Sequence, residues 1–184
     1  MNVSRIQLDD SAFDRDVSNA LRSTGLAPDL LVLEITESVL AIDVQAMALR
    51  LKGLKKIGVR IAMDDFGTGY SSLAALSTFP LDYIKIDRAF VNASGEASLA
   101  GSKLLTWVIS LSNELAIRSV AEGVETPQQR DFLRQAGCSL GQGFLFGRPE
   151  HAAALEARLA VREPTTSQGR DEEKVSQPME ELPA

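Results

Sequence analysis

The chain is poor in the residues that build disulfide and thiolate sites. It has one cysteine and one histidine among its 184 residues. A lone cysteine excludes a disulfide framework and a zinc site made of several thiolates. Disulfide-free proteins are typical of reducing compartments, so we expect a cytoplasmic location. The first ten residues combine neither a basic region nor an apolar stretch, which argues against a signal peptide.

The chain also lacks long apolar runs and an excess of positive charge. No run of about 18 apolar residues occurs, and we therefore expect no membrane segment. Nineteen Lys and Arg stand against 25 Asp and Glu, for a net charge of −6. This balance disfavours binding to a nucleic-acid polymer, which requires a basic surface. An acidic protein that handles an anionic substrate usually needs metal cations between the two.

What the chain does contain is an alternation of short apolar segments and amphipathic segments. Strands are predicted at residues 30–36, 59–63, 83–87, 118–124 and 139–146, with the end of another at 1–4. Helices are predicted around Phe13, Val17 and Leu21 and at residues 43–57, 71–78, 99–116, 126–137 and 151–162, with Trp107 in the core.

This alternation predicts an α/β fold with a parallel sheet. About six β-α units are present, whereas eight close a barrel. We therefore predict an incomplete TIM-type (β/α) barrel over residues 1–162. Residues 163–184 are polar and acidic and lack an apolar period, so we predict a disordered tail.

Two adjacent carboxylates end the second apolar strand. Asp64 and Asp65 are followed by Gly67 and Gly69, which permit backbone conformations that a Cβ forbids. One aspartate would suit the N-cap of the next helix. Two in a row repel each other and lose hydration unless a cation or donor compensates them. The pair therefore favours a metal or phosphate site.

Other polar residues fall at or near the predicted strand ends in the same way. They are Glu34 with Glu37, Lys85 with Asp87, Glu122 with Glu125, and Gln142. In a β/α barrel the strand ends share one rim, where active sites lie. Oxygen ligands without His or Cys favour Mg²⁺ or Mn²⁺. Such metals, a lysine and a spare carboxylate suit hydrolysis of a phosphoester by water.

Several short motifs occur in order at plausible spacings. They are Asn2-Val3-Ser4, Glu34-Ile35-Thr36-Glu37, Asp64-Asp65-Phe66-Gly67-Thr68-Gly69, Lys85-Ile86-Asp87, Ala121-Glu122-Gly123-Val124-Glu125 and Gln142-Gly143-Phe144-Leu145-Phe146. Together they resemble the EAL family of cyclic di-GMP phosphodiesterases over about residues 1–150. The resemblance implies a modified β/α barrel that hydrolyses cyclic di-GMP to linear pGpG with Mg²⁺ or Mn²⁺.

The resemblance also implies roles for individual residues. Asn2, Glu34 and Asp64 are expected to bind metal, and Asp65 a second metal. Lys85 is expected to orient the water or phosphate, and Glu122 to act as general base. Glu37 and Glu125 are expected to anchor the loop 66–72, and Gln142 to line the site. The intact motif that begins at Asp64 implies an active and often dimeric enzyme.

One departure from the family concerns its signature. The strand that should carry Glu-Ala-Leu is missing from the sequence, and with it a metal-binding glutamate. We therefore expect a chain truncated at its N-terminus, with little activity alone and with sensory or GGDEF-type domains in a longer parent. A non-catalytic remnant that binds cyclic di-GMP or a protein partner is the alternative. An unrelated barrel enzyme with carboxylate-bound Mg²⁺ and a lysine base is a third reading.

Overall fold

The computed structural model describes residues 1–40, 43–67, 73–93 and 99–160. Residues Met1–Arg148 form one compact unit and Pro149–Ala184 a second. The whole predicted tail and most of the glycine loop lie outside the described residues, so the prediction of disorder at 163–184 is not tested. Among the described helices, none has the length and apolar character needed to cross a membrane.

Five parallel strands form one sheet in the order of the chain, β1-β2-β3-β4-β5. The strands are β1 (Val32–Thr36), β2 (Arg60–Phe66), β3 (Tyr83–Ile86), β4 (Arg118–Ala121) and β5 (Leu140–Gly141). Asn2 makes a parallel bridge with Glu34 on the other side of β1. The sheet thus fills six neighbouring strand positions, and the predicted incomplete TIM-type barrel is confirmed.

Helices connect successive strands and cover one face of the sheet. They are α1 (Arg5–Asp9), α2 (Phe13–Thr24), α3 (Glu37–Leu40), α4 (Val44–Ile57), α5 (Leu73–Thr78), α6 (Arg88–Ala93), α7 (Leu99–Glu114) and α8 (Pro127–Gln135). The second unit contains a separate helix, α9 (Ala152–Ala160). The predicted end of α4 is confirmed, because Gly58 takes the left-handed conformation at its C-cap.

The two faces of the sheet have different environments. Leu33, Ile35 and Ile84 are fully buried in the hydrophobic core. The residues that alternate with these along the strands point to the opposite face. Glu34 and Lys85 are among them, and they line a cavity of about 230 Å³ there. Because side chains alternate along a strand, polar residues on that face stay accessible while their neighbours build the core.

Two predicted strands are longer than the observed ones by three residues or more, whereas β2 continues to Phe66, beyond its predicted end at residue 63. β4 ends at Ala121, and Gly123 then takes a positive φ of 67°, which interrupts the extended backbone of the strand. β5 has only two residues, because the backbone turns at Gly143, whose carbonyl accepts from Phe146 N–H. The glycines of these segments therefore outweigh their apolar pattern.

The prediction that Trp107 lies in the core is wrong. Its residue surface is 48% exposed, and that of Leu104, one turn earlier on α7, is 46% exposed. The core face of α7 is instead formed by Leu105, Val108 and Ile109. An apolar sequence around a residue does not tell which side of the helix packs against the sheet.

Candidate functional site

The centre of the candidate site is the ammonium group of Lys85 on β3. Its Nζ lies 2.8 Å from Glu34 Oε2, 2.9 Å from Asp64 Oδ1 and 2.8 Å from Glu122 Oε1. The Lys85 side chain is 12% exposed, and the three carboxylate side chains are between 16% and 26% exposed. Three carboxylates from three different β-α segments therefore converge on one amine at the edge of the core.

The register of the strands explains this convergence. Thr36 of β1 pairs with Asp64 of β2, and Lys85 of β3 pairs with Val120 of β4. Glu122 follows the end of β4, and its N–H donates to the carbonyl of Ile86. All these side chains lie toward the carboxyl ends of parallel strands, which is the end where barrel active sites are built.

The electrostatic balance of this cluster is negative. Burial alone lowers the pKa of the Lys85 ammonium, but hydrogen bonds to Glu122, Glu34 and Asp64 raise it, and the net pKa lies above its ordinary value. Lys85 is therefore charged at neutral pH, in keeping with its contacts to the three carboxylates. One ammonium against three carboxylates leaves an excess of two negative charges.

The next segment of β2 is held in an unusual backbone conformation. Asp65 has a positive φ of 57°, which is uncommon for a residue with a Cβ. Two residues later, Gly67 donates its N–H to Glu37 Oε2 at 2.9 Å. Glu37 is only 2% exposed. The structure thus places the carboxylate of Glu37 directly on the start of the glycine loop.

The remaining predicted site residues are placed less centrally. Asn2 is brought next to Glu34 by its strand bridge. Gln142 lines the same cavity as Glu34 and Lys85. Glu125 is exposed, and its backbone N–H donates to Gln129 Oε1 at 2.8 Å. Among the described residues, the Glu125 side chain forms no ion pair. Most of the loop that it was predicted to anchor lies outside them, so that prediction is not tested.

The oxygen-rich cluster suits a hard divalent cation by its chemistry. Its donors are carboxylates, they are partly removed from water, and their negative charge exceeds that of the ammonium. In the part of the chain that the structure describes, no three acidic, His or Cys side chains already surround a common ion position. The ammonium of Lys85 instead occupies the point on which Glu34, Asp64 and Glu122 converge.

Two contacts at the site had no signal in the sequence. The ring of Phe90 on α6 lies against Gly67, and Arg88 on the same helix lies against Gly123. In the sequence, residues 88–93 follow a strand and show no helical period long enough to predict a helix. Only the fold brings this short segment to both carboxylate-bearing loops.

Known proteins resemble this chain over most of its length. The cyclic di-GMP phosphodiesterase NbdA of Pseudomonas aeruginosa is 44% identical over 158 residues, which are 86% of this chain and 19% of NbdA. An uncharacterized signaling protein of Caulobacter vibrioides is 46% identical over 164 residues, which are 89% of this chain and 20% of that protein. The chain spans about a fifth of the length of these curated relatives.

Solved structures show the same fold. The PaMucR phosphodiesterase in complex with c-di-GMP superposes with a TM-score of 0.79 at 41% identity, over 84% of this chain and 62% of that chain.

The EAL domain model matches residues 1–149, which include every residue of the carboxylate and lysine cluster. The order of its motifs, the parallel sheet and the resemblance to solved EAL structures agree with this match. The chain therefore belongs to the EAL domain family.

Proposed function

We propose that this chain carries the catalytic face of a divalent-metal-dependent phosphodiesterase that opens cyclic di-GMP to linear pGpG. The convergence of Glu34, Asp64 and Glu122 on Lys85 is the observation that carries the proposal. It is supported by NbdA, which is named a cyclic di-GMP phosphodiesterase, and by the PaMucR structure with c-di-GMP. The adjoining cavity of about 230 Å³ is lined by Glu34 and Lys85 of this cluster.

In the proposed reaction, water adds across one phosphodiester linkage. The water oxygen bonds to phosphorus, one bond between phosphorus and a ribose oxygen breaks, and the released ribose oxygen takes up a proton. Glu122 accepts the proton of the attacking water, because its carboxylate lies at the rim and is 22% exposed. The Lys85 ammonium donates hydrogen bonds that orient the water or the phosphate, since it keeps its charge at neutral pH.

Glu34, Asp64, Asp65 and Asn2 are the groups that we propose as metal ligands. When bound, Mg²⁺ or Mn²⁺ polarises the phosphate and stabilises the charge that develops on its oxygens. The proposal is supported by the structure of Klebsiella pneumoniae BlrP1 in complex with manganese and cyclic di-GMP, with a TM-score of 0.73 at 33% identity, over 81% of this chain and 38% of that chain.

We further propose that the 184-residue polypeptide turns over cyclic di-GMP slowly by itself. Its sequence contains no Glu-Ala-Leu tripeptide, and the described sheet fills six strand positions where a closed barrel has eight. Replacing a residue that supports a metal ligand typically weakens metal binding by roughly 10–100-fold. Loss of a charged ligand itself should weaken metal binding by more than that. Sensory or GGDEF-type domains in a longer parent would then control this activity.

The experiment is a single-turnover assay with the purified polypeptide in excess over cyclic di-GMP. Formation of pGpG is followed by chromatography with Mg²⁺, with Mn²⁺ and with EDTA, and binding is measured in parallel with a fluorescent cyclic di-GMP. Slow turnover that EDTA abolishes supports the proposal. Binding without any turnover supports the non-catalytic alternative instead, and failure to bind any cyclic dinucleotide contradicts both.

We also propose that the chain forms a homodimer through an exposed apolar surface on α7. Trp107 and Leu104 lie one turn apart on α7 and are each about half exposed. Covering two such side chains with a second copy removes apolar surface from water. Sedimentation velocity at increasing concentration tests this, with Trp107→Ser as the variant that should shift the chain toward a monomer and Lys52→Ser on α4 as the control.

A further inference from the structure

Helix α6 contacts the chain at two glycines that lie close to site carboxylates. These are Gly67, which follows Asp64 and Asp65, and Gly123, which follows Glu122. A methyl group built on Gly67 would lie 2.5 Å from Phe90 Cζ and 2.6 Å from Phe90 Cε2. The ring and the glycine are thus in direct contact, with no room for a side chain between them. The partly buried Phe90 also packs against the main hydrophobic core, which fixes the ring from behind.

Gly67 is held from a second direction. Its N–H donates to the buried carboxylate of Glu37 at 2.9 Å. Glu37 begins the helix after β1, whereas Phe90 belongs to the helix after β3. The peptide at Gly67, which follows β2, is therefore held between the connections after β1 and after β3, by a carboxylate and by a ring.

This double support acts on the carboxylates of β2. Asp65, two residues before Gly67, has a φ of 57°, a left-handed conformation that is uncommon for residues with a Cβ, although aspartate adopts it more readily than most. The same strand end carries Asp64, whose Oδ1 lies 2.9 Å from Lys85 Nζ. Asp64 and Asp65 are thus connected to the peptide at Gly67 through only a few backbone bonds.

We propose that Phe90 is a positioning residue that holds Gly67, and through it Asp64 and Asp65, in the arrangement that binds metal. The part that concerns metal rests on the proposed function. The part that concerns the backbone at Gly67 does not depend on any ligand, and the two parts can therefore be tested separately.

The test compares Phe90→Ala, Phe90→Leu and Phe132→Ala with the unaltered chain. Phe132 is the matched control, since it is also a partly buried phenylalanine that packs against the core, but on α8. Exchange of the Gly67 amide hydrogen is measured by NMR, and Mn²⁺ affinity by the electron paramagnetic resonance signal of the free ion. Both are read under conditions where every variant remains folded.

We expect Phe90→Ala to speed exchange of the Gly67 amide at least tenfold and to weaken Mn²⁺ binding about tenfold. Phe90→Leu should stay within threefold of the unaltered chain in both measurements, since it still fills the space. Phe132→Ala should do the same. Equal exchange at Gly67 in the two alanine variants overturns the inference.

Two further results separate this inference from the proposed function. If Phe90→Ala speeds exchange but binds Mn²⁺ as tightly as the unaltered chain, the ring does not position the carboxylates, and the proposed function stands. If the unaltered chain binds no Mn²⁺ while Phe90→Ala still speeds exchange, the metal-dependent function fails, and the role of Phe90 in holding Gly67 stands.

Discussion

Lys85 Nζ lies 2.8 Å from Glu122 Oε1, although the two residues are 37 positions apart and belong to neighbouring β-α units. The same Nζ contacts Glu34 and Asp64, so the lysine neutralises part of a cluster that otherwise consists of carboxylates. Like charges this close destabilise a fold unless a cation lies among them. The amine therefore has a structural role in the metal-free protein as well as the proposed role in catalysis.

Replacing this amine should destabilise the metal-free protein. We expect Lys85→Met to lower the free energy of unfolding in EDTA by about 2 kcal/mol, because three partly buried carboxylates lose their cation. Added Mn²⁺ should stabilise this variant more than the unaltered chain, since it binds the folded state and restores the missing charge. Urea unfolding with EDTA and with Mn²⁺ measures both effects.

Lys55→Met is the control for this prediction. Lys55 pairs with Asp82 at 2.7 Å, away from the cluster around Lys85. Its loss should lower stability by the same amount with EDTA and with Mn²⁺. If Mn²⁺ stabilised Lys85→Met no more than Lys55→Met, the expectation that the metal restores the charge lost with Lys85 would be wrong.

Glu122→Gln should reduce turnover while preserving the fold. The amide oxygen can still accept from Lys85, but it cannot take a proton from water. We expect the single-turnover rate of pGpG formation to fall by about 10²–10⁴-fold, with cyclic di-GMP binding within about threefold. Glu114→Gln, at the exposed end of α7, is the comparison. Equal rates in the two variants would contradict the assignment of Glu122 as base.

Asp82 and Asp64 offer a contrast between the two ends of the sheet. Asp82 precedes β3 and accepts from Lys55 Nζ and from Ile61 N–H, both at 2.7 Å. We expect Asp82→Ala to cost about 1–3 kcal/mol of stability, because the buried donor at Ile61 loses its partner. Mn²⁺ affinity should not change. Asp64→Ala should instead abolish tight Mn²⁺ binding, which calorimetry distinguishes.

Two left-handed glycines that differ in crowding provide a further prediction. A Cβ on Gly123 would lie 2.5 Å from Arg88 Cβ, whereas a Cβ on Gly25 would have nothing within 4 Å. Both have a φ near 68°, and an alanine there costs about 1 kcal/mol from the backbone alone. We expect Gly25→Ala to cost only that amount, and Gly123→Ala to cost about 1–3 kcal/mol more. Urea unfolding of both variants checks the difference.

Much of the architecture could be predicted because apolar periodicity is local. The helix at Val44–Ile57 has its apolar residues at helical spacing, an Asp43 side chain at its N-cap and Gly58 at its end. Short strands near glycines were predicted too long, since β4 stops at Ala121 and β5 has two residues. Their extent depends on where a neighbouring strand offers hydrogen bonds, which the local pattern does not contain.

The residue types of the site could be predicted for a different reason. Buried charge is costly, so carboxylates at Glu34 and Asp64 beside apolar strand residues indicate that they have a partner. That the partner is one amine shared by three carboxylates depends on distances across strands. The sequence likewise offered no reason to connect Phe90 with Gly67.

By itself the sequence determined the order of strands and helices and placed polar residues at the predicted strand ends, and hence that charged groups collect at one end of a parallel sheet. Only the tertiary structure decided that Lys85 lies among Glu34, Asp64 and Glu122, that Trp107 faces outward and that α6 supports the loop at Gly67. The physical reason is that periodicity acts over a few residues, whereas charge compensation and packing act between segments that only the register of the sheet brings together.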